Sequence, residues 1–155
     1  MHRETKGFTL IEMLVVIAII GILSSVILTA LVPARKKAQD ARIVEEVNQA
    51  RAIAETLNVN GNYAALPSVQ PNTASSITDP NLRSLAEDIA TQGGGLYIEK
   101  SSLPPYSWYI IFSTLNTLVG PRGNEVQYYC VDNSGHSVYT TINPDGYTGG
   151  CPAGS

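Results

Sequence analysis

The chain has 155 residues, of which 44% are hydrophobic and 15% are charged, and its formal net charge is −3. With the apolar N-terminal region set aside, the remainder is near the usual size of one folded domain. A negative charge of this size disfavours phosphate-driven binding of nucleic acid over a broad surface. The composition therefore predicts one globular domain joined to an apolar segment, with no specific nucleic-acid partner.

Residues 8–32 form an apolar run that follows a short charged leader and contains a single charged residue, Glu12. At about 1.5 Å per residue, a helix of this length crosses a hydrocarbon layer about 30 Å thick. A carboxylate in such a run costs free energy on membrane insertion, so Glu12 is expected to have a function. A secretory signal peptide places its cleavage site after the apolar core. Here the plausible cleavage position precedes the core, after Gly7.

The segment Lys6-Gly7-Phe8-Thr9-Leu10-Ile11-Glu12 resembles the N-terminal motif of the type IV pilin and pseudopilin family. In that family a short leader ends in glycine and is followed by Phe-Thr-Leu-Ile-Glu. The resemblance covers residues 1 to about 57 as a motif. It implies that a membrane-embedded prepilin peptidase cleaves between Gly7 and Phe8, that Phe8 is N-methylated, and that the apolar helix polymerises with other copies of the chain.

The resemblance also implies where the chain resides and what it meets. It implies a single-pass protein of the inner membrane that later becomes part of an extracellular fibre on the cell surface. The partners are then the peptidase, the pilus assembly machinery and other subunits. No cofactor and no enzymatic activity are expected.

Three positions in the apolar run are expected to guide assembly. Glu12 lies one helical turn from the amine that cleavage creates on Phe8, and the resemblance implies that it reaches the amine of a neighbouring subunit. Gly21 and Ser25 have the small-xxx-small spacing that lets another helix approach closely. Small residues that simply face lipid are the alternative interpretation of this pair.

Residues 33–57 are amphipathic, and the helix is expected to continue past Pro33 to Leu57. The apolar side chains that recur at helical spacing and should face a core are Ile43, Val47, Ala50, Ala54 and Leu57. Ion pairs at i, i+4 spacing are expected between Lys36 and Asp40, Arg42 and Glu46, and Arg51 and Glu55.

A basic cluster follows the apolar run and complicates the expected topology. Counting positive charges places the downstream domain in the cytoplasm, whereas the cysteines and the family resemblance favour export. The cluster lies on a helix that also carries acidic residues, so it is interpreted as a solvated helix face. Its members are Arg35, Lys36, Lys37 and Arg42.

Residues 58–155 are expected to form a globular head that begins with a polar loop over 58–78. A short helix should begin at Asp79-Pro80, with the aspartate as N-cap, and end at Gly93-Gly94-Gly95. Strands are expected over 107–113, 126–131 and 137–142, joined by short turns into an antiparallel meander. Its inner face should cover the amphipathic helix and bury Trp108. The predicted fold class is therefore α+β and pilin-like.

Cys130 and Cys151 are the two cysteines of the chain. In an exported domain they are expected to form a disulfide. A free nucleophilic cysteine assisted by His136 is the competing interpretation, but no third group stands at a recognisable spacing. The absence of a CxxC pair and of a His-rich cluster predicts no transition-metal site.

These observations predict four segments: a leader over residues 1–7, a transmembrane and filament-core helix over 8–32, its amphipathic continuation over 33–57, and a head over 58–155. The predicted function is that of a structural subunit of a type IV pilus serving adhesion, motility or DNA uptake. A pseudopilin of a type II secretion system or a minor pilin is the first alternative. A membrane-tethered binding module is the second.

Overall fold

The structure is a computed structural model that describes residues 7–70, 75, 77–120 and 123–153. The leader residues 1–6 lie outside the described part of the chain. The chain divides after Arg35 into two compact units. The described residues of the first unit are exposed, whereas the second unit contains the buried core.

The first unit contains the beginning of α1, a helix of 47 residues over Leu10–Thr56. All of residues 7–35 are exposed. Within the described residues, α1 is the one helix that is long and apolar enough to cross a membrane, judged by length and composition. Pro33 lies inside α1 without ending it, as the sequence predicts. The observed helix is shorter than the predicted one by two residues at its start and one at its end.

The second unit is built on the remaining part of α1. The predicted apolar face is confirmed for Ile43, Val47, Ala50 and Ala54, which are fully buried, whereas Leu57 packs against the core half-buried. Two acidic residues, Asp40 and Glu46, are buried on the same helix. The sequence pattern does not predict that these two carboxylates are inside.

Helix α2 spans Pro80–Thr91 and begins as predicted. The side chain of Asp79 accepts hydrogen bonds from the backbone amides of Asn81 and Leu82, each at 2.9 Å, which satisfies two otherwise unpaired helix donors. Gly93 ends the helical segment with a φ of 91°, a left-handed conformation that favours glycine. Gly94 follows α2, and a Cβ on it would lie 2.8 Å from Ser113 Oγ, so this segment can lie close to Ser113 only with glycine.

The sheet has four antiparallel strands in the order β1-β2-β3-β4, rather than the three strands predicted. The strands are β1 Leu96–Lys100, β2 Tyr109–Thr114, β3 Tyr128–Asp132 and β4 Ser137–Thr140. The missed strand, β1, follows directly on the glycines that end α2. β1 pairs with β2 along one edge, and its residue Ile98 pairs with Val69 along the other.

Both faces of β2 are buried, and Trp108, which the sequence predicts to be buried in this strand, is not. Tyr109 and Ile111 face the cluster that contains α1, whereas Ile110 and Phe112 face a second apolar cluster with Cys130. Trp108 precedes β2 and is only half-buried. Strict alternation fails as a guide to burial in β2 because the C-terminal segment and its disulfide cover the second face.

An ionic cluster joins α2 to α1. The Arg42 guanidinium donates to Asp88 Oδ2 at 2.8 Å through Nε, and the same Nε lies 3.1 Å from Glu46 Oε1. The predicted pair Arg42–Glu46 is therefore present. Glu46 Oε2 is buried and has no hydrogen-bond partner among the described residues. Burial, together with the neighbouring Asp88, raises the pKa of Glu46 to about 7, even though Arg42 opposes the shift.

The other two predicted ion pairs are absent from the described residues, because their acidic members bind elsewhere. Asp40 accepts hydrogen bonds from the backbone amides of Asn116 and Thr117. Glu55 accepts hydrogen bonds from the hydroxyls of Tyr109, at 2.5 Å, and Tyr63, at 3.2 Å. Both carboxylates thus tie α1 to the rest of the head. For Asp40, which is buried, these hydrogen bonds also offset the cost of removing a charge from water.

Candidate functional site

The candidate processing site precedes α1. Gly7 and Phe8 lie before the first helical residue, and 77% of the Phe8 surface is exposed. A Cβ placed on Gly7 would meet no atom within 4 Å. The Gly7–Phe8 peptide bond is therefore accessible and lies outside the helix. A peptide bond needs both properties to serve as a peptidase substrate.

Thr9 and Glu12 form a reciprocal cap at the start of α1. The Glu12 carboxylate accepts from the Thr9 amide at 2.8 Å and from the Thr9 hydroxyl at 2.7 Å. The Glu12 amide in turn donates to Thr9 Oγ1 at 3.3 Å. This is a capping box, in which residues three positions apart satisfy donors that the first helical turn leaves free. A carboxylate at this position is also stabilised by the helix dipole.

The capping box is a functional feature that the sequence analysis missed, although its signature was present. A Thr followed three residues later by Glu, directly before an apolar run, is the recognised pattern. The charge of Glu12 therefore has partners within its own subunit. An open apolar groove of about 370 Å³ lies on this part of the helix and is lined by Phe8, Ile11, Glu12, Val15 and Val16.

Gly21 and Ser25 lie on the exposed surface of the same helix. No atom comes within 4 Å of a Cβ built on Gly21. The Ser25 hydroxyl donates to the carbonyl of Ile22 at 2.8 Å, so its hydrogen-bonding need is met inside the helix. The two positions thus offer a surface of small side chains, with the Ser25 hydroxyl already hydrogen-bonded, of the kind that a second helix can approach. Their part in assembly stays a prediction.

Cys130 and Cys151 form a disulfide, with a Cα–Cα distance of 5.9 Å. Cys130 lies on β3 and belongs to the second apolar cluster, against which Cys151 packs. The bond thus attaches the C-terminal segment to the outer face of the sheet. A second attachment is the hydrogen bond from the Gly146 amide to Glu99 Oε2 at 3.2 Å.

Asp132 is a buried structural residue rather than part of a catalytic triad with its neighbours. Its carboxylate accepts from the amides of Ser134, His136 and Cys151. Burial alone would raise the pKa of Asp132, but these hydrogen bonds hold it below the usual value. The Ser134 hydroxyl and the Asp132 carboxylate both approach the same atom, His136 Nδ1. In a catalytic triad the hydroxyl and the carboxylate contact the two different nitrogens of the histidine ring. Here they share one nitrogen, and the hydrogen bonds of Asp132 stabilise a turn instead.

Metal-ligating residues do not gather in the part of the chain that the structure describes. Within it, no group of three or more His, Cys, Asp or Glu side chains could hold a metal ion.

Comparison with known proteins starts with the family model described as "Prokaryotic N-terminal methylation motif", which matches residues 2–28. This range contains Gly7, Phe8 and Glu12. No solved structure matches the chain at a significant level.

Curated relatives extend the similarity into the head. Fimbrial protein Q of Moraxella bovis is 33% identical over 124 residues, which cover 77% of this chain and 72% of that protein. Type II secretion system core protein G of Vibrio cholerae is 28% identical, over 96% of this chain and 86% of the relative. Type IV wide pilus major component PilA4 of Thermus thermophilus is 45% identical over 60 residues, or 39% of this chain. The chain spans only 46% of the length of that last relative.

The match to fimbrial protein Q covers most of both chains. The methylation motif includes Gly7 and Phe8. The fold, a long N-terminal helix with a small antiparallel sheet, is of the pilin type. The chain therefore belongs to the type IV pilin and pseudopilin family.

Proposed function

We propose that this protein is a structural subunit of a type IV pilus, cleaved after Gly7, methylated on Phe8 and polymerised through its N-terminal helix into a surface fibre. The observation that carries the proposal is the continuous exposed apolar surface of residues 13–32, which begins directly after a capped carboxylate. Exposed apolar patches larger than a few hundred Å² are rare on soluble monomers and require either lipid or other protein surfaces. A bilayer before assembly and neighbouring subunits afterwards satisfy this need in turn.

Assembly in this proposal depends on the exchange of partners by Glu12. Inside the membrane the carboxylate is held by Thr9 of its own chain. In a fibre, Glu12 binds the Phe8 amine of a neighbour, and this pairing sets the axial register of helices that are otherwise free to slide. The role is mechanical rather than enzymatic, with prepilin peptidase and the pilus assembly machinery as partners.

The second candidate function is that of a pseudopilin in a type II secretion system. The observation that favours it is the similarity to core protein G, which extends over 96% of this chain. Both candidates use the same processing and the same helix, and they differ in the length and abundance of the fibre. A membrane-tethered binding module is a third candidate, and it requires no cleavage before the apolar run.

Mass spectrometry of sheared surface material tests the proposal. Abundant mature chain that begins with a methylated Phe8 is expected, and Gly7→Ala should leave most of the precursor uncleaved. Mature chain that stays in the cell envelope and is scarce in the sheared fraction would favour the pseudopilin. Chain that retains Lys6 in assembled fibres would contradict both and favour the tether.

A further inference from the structure

The segment that follows β4, residues 141–150, is fixed at both ends. At its start, Thr140 pairs with Tyr128 in the sheet, and after its last residue Cys151 forms the disulfide with Cys130. Most of the segment between these two points is exposed. Its middle can therefore move while its ends stay in place.

The middle of the segment is a tight turn, residues 143–147, in which the Tyr147 amide donates to the Pro144 carbonyl at 3.0 Å. Pro144 is buried, so the turn is packed against the head. In the described part of the chain, one hydrogen bond joins this turn to the sheet: the Gly146 amide donates to Glu99 Oε2 at 3.2 Å. The sheet ends with β1 on this side and with β4 on the other, so the segment crosses the sheet to reach Glu99. The state of one carboxyl group therefore affects how firmly the turn is held.

Asp145, the residue before Gly146, places a second carboxylate beside Glu99. Burial raises the pKa of Glu99 to about 7, and Asp145 adds to this shift while the hydrogen bond from Gly146 opposes it. Burial also raises the pKa of Tyr97, with further contributions from Tyr128 and Asp145, so Asp145 acts on β1 at two positions. Adjacent carboxyl groups can share one proton, whereas two negative charges repel each other.

The other charged groups near Glu99 have partners of their own. Lys100, the next residue of β1, donates to backbone carbonyls of the loop before α2. Asp132 lies two strands from Glu99, in register across β2, and its carboxylate accepts from backbone amides. His136 approaches Asp132. Among the described residues, no ion pair includes Glu99 or Asp145, so their repulsion is not neutralised by a cation.

We propose that Glu99 and Asp145 form a proton-dependent latch that closes the turn 143–147 onto β1 in acid and releases it above neutral pH. In the closed state Glu99 carries a proton, which it shares with Asp145, and it accepts the hydrogen bond of the Gly146 amide. In the open state Glu99 is solvated, and its pKa returns toward the ordinary value of 4.5. The closed state thus binds the proton more tightly, so closure is favoured fully below pH 4.5 and loses this contribution as the pH rises to about 7.

Opening of the latch changes the outer face of the sheet. Pro144 would leave its buried position, and the half-buried ring of Tyr97, which stacks on Phe112 with ring centres 4.5 Å apart, would gain contact with water. The disulfide and the pairing of β4 hold the two ends, so the sheet itself stays folded. This local opening differs from the effect of Glu46, which is buried on α1 and bears on the stability of the whole head.

Hydrogen exchange of the Gly146 amide tests the latch. The measurement is NMR on the full chain in detergent micelles between pH 5 and pH 8, with EDTA present so that no divalent cation bridges the two carboxylates. Each rate is divided into that of an unstructured peptide at the same pH, because intrinsic exchange itself depends on pH. The native chain should lose about tenfold or more of the protection of Gly146 over this range, and more than it loses at Val131 in the buried part of β3.

Three variants separate the latch from other causes. Glu99→Gln should keep Gly146 protected at pH 8, because its amide can accept from Gly146 and donate to Asp145 without titrating. Asp145→Asn should also keep the protection by removing the repulsion, and it tests the latch even if Glu99→Gln fails to fold. Glu87→Gln is the matched control, because Glu87 is an exposed acidic residue of α2, and it should follow the native profile.

Equal protection of Gly146 at pH 5 and pH 8 in the native chain would overturn the proposal. A loss of protection that persists in both Glu99→Gln and Asp145→Asn would do the same. An equal loss at Val131 would assign the effect to unfolding of the whole head instead. Finally, a pH dependence that His136→Gln abolishes would assign it to the turn at Asp132. None of these outcomes depends on cleavage or on fibre assembly, so the latch and the proposed function can fail separately.

Discussion

Glu12 has two separable properties, its charge and its ability to accept the hydrogen bonds of a helix cap. The cap is formed with Thr9 in the isolated subunit, and replacing an N-cap hydroxyl costs about 0.5–2 kcal/mol of helix stability. The charge is the property that binding to a neighbouring Phe8 amine requires. Substitutions at this one position can therefore show which property assembly uses.

We predict that Glu12→Leu inserts into the membrane and is cleaved after Gly7 but assembles poorly, and that Glu12→Asp is intermediate because its side chain is shorter. Glu12→Gln is the informative control, since its amide oxygen can still accept the capping hydrogen bonds without carrying a charge. If charge guides assembly, Glu12→Gln should fail like Glu12→Leu, whereas Thr9→Val should retain most fibres. The measurement is fibre yield beside the levels of precursor and mature protein. Normal fibres from Glu12→Leu would show that the glutamate does not guide assembly.

Glu46 makes the stability of the head depend on pH. The pKa of its buried carboxyl is raised to about 7, from an ordinary value of 4.5. The folded head therefore binds this proton more tightly than the unfolded chain, so the contribution of Glu46 is favourable at low pH. It is lost progressively as the pH rises from 4.5 to 7, and the full cost is present above 7.

We expect Glu46→Gln to raise the free energy of unfolding at pH 8 by about 1–3 kcal/mol and to flatten its dependence on pH between 5 and 8. The amide keeps an acceptor for Arg42 and removes the buried charge beside Asp88. Glu45→Gln is the matched control, because Glu45 is the preceding residue of α1 and is exposed. Urea denaturation at a series of pH values measures the effect. Equal pH profiles for Glu46→Gln and the native chain would contradict this account.

At the scale of elements, the C-terminal segment acts as a cover for the outer face of the sheet. Cys151 packs against the cluster of Ile110, Phe112 and Cys130. The Phe112 ring stacks on Tyr97 with ring centres 4.5 Å apart, so this cover protects a continuous aromatic surface. The bond that holds it closes a loop with a sequence separation of 21 residues.

Replacing Cys130 and Cys151 together with Ser should lower the free energy of unfolding of the head by about 2–5 kcal/mol, the usual range for a native disulfide in a small exported domain. Membrane insertion and cleavage after Gly7 should be unchanged, because α1 takes no part in the bond. Thermal unfolding of the oxidised chain, the reduced chain and the variant measures the effect. Reactivity of either thiol toward an alkylating reagent in the native protein would refute the pairing.

At the scale of the whole molecule, the two compact units differ in what they need from their surroundings. Both apolar clusters and the disulfide lie in the unit that begins at Lys36. Residues 7–35 are exposed throughout and bury nothing within the described subunit. The second unit thus contains its own core, whereas the first depends on a bilayer or on other subunits.

A chain that begins at Lys36 should therefore fold as a soluble, disulfide-bonded monomer with one cooperative thermal transition. Size-exclusion chromatography and circular dichroism during heating measure this. The native full chain, extracted in detergent, serves as the reference for the transition of the head. Aggregation of the shortened chain, or a gradual transition, would show that the head needs the apolar helix for its own stability.

The sequence by itself determined the features that depend on local spacing. The apolar run, the amphipathic face of Ile43, Val47 and Ala50, and the Asp79 cap all follow from the period of a helix and from side chains that bond to nearby backbone groups. The methylation motif that includes Gly7 and Phe8 is likewise contiguous in the chain. These features need no knowledge of what lies opposite them.

Only the tertiary structure decided which partner each polar or apolar group receives. Spacing along α1 assigns Asp40 to Lys36, yet a carboxylate enclosed by a loop gains more from two backbone amides than from one solvated lysine. Burial on both faces of β2 and the raised pKa of Glu46 arise in the same way, from segments distant in sequence that exclude water. Local sequence cannot report these effects, because they depend on contacts between residues far apart in the chain.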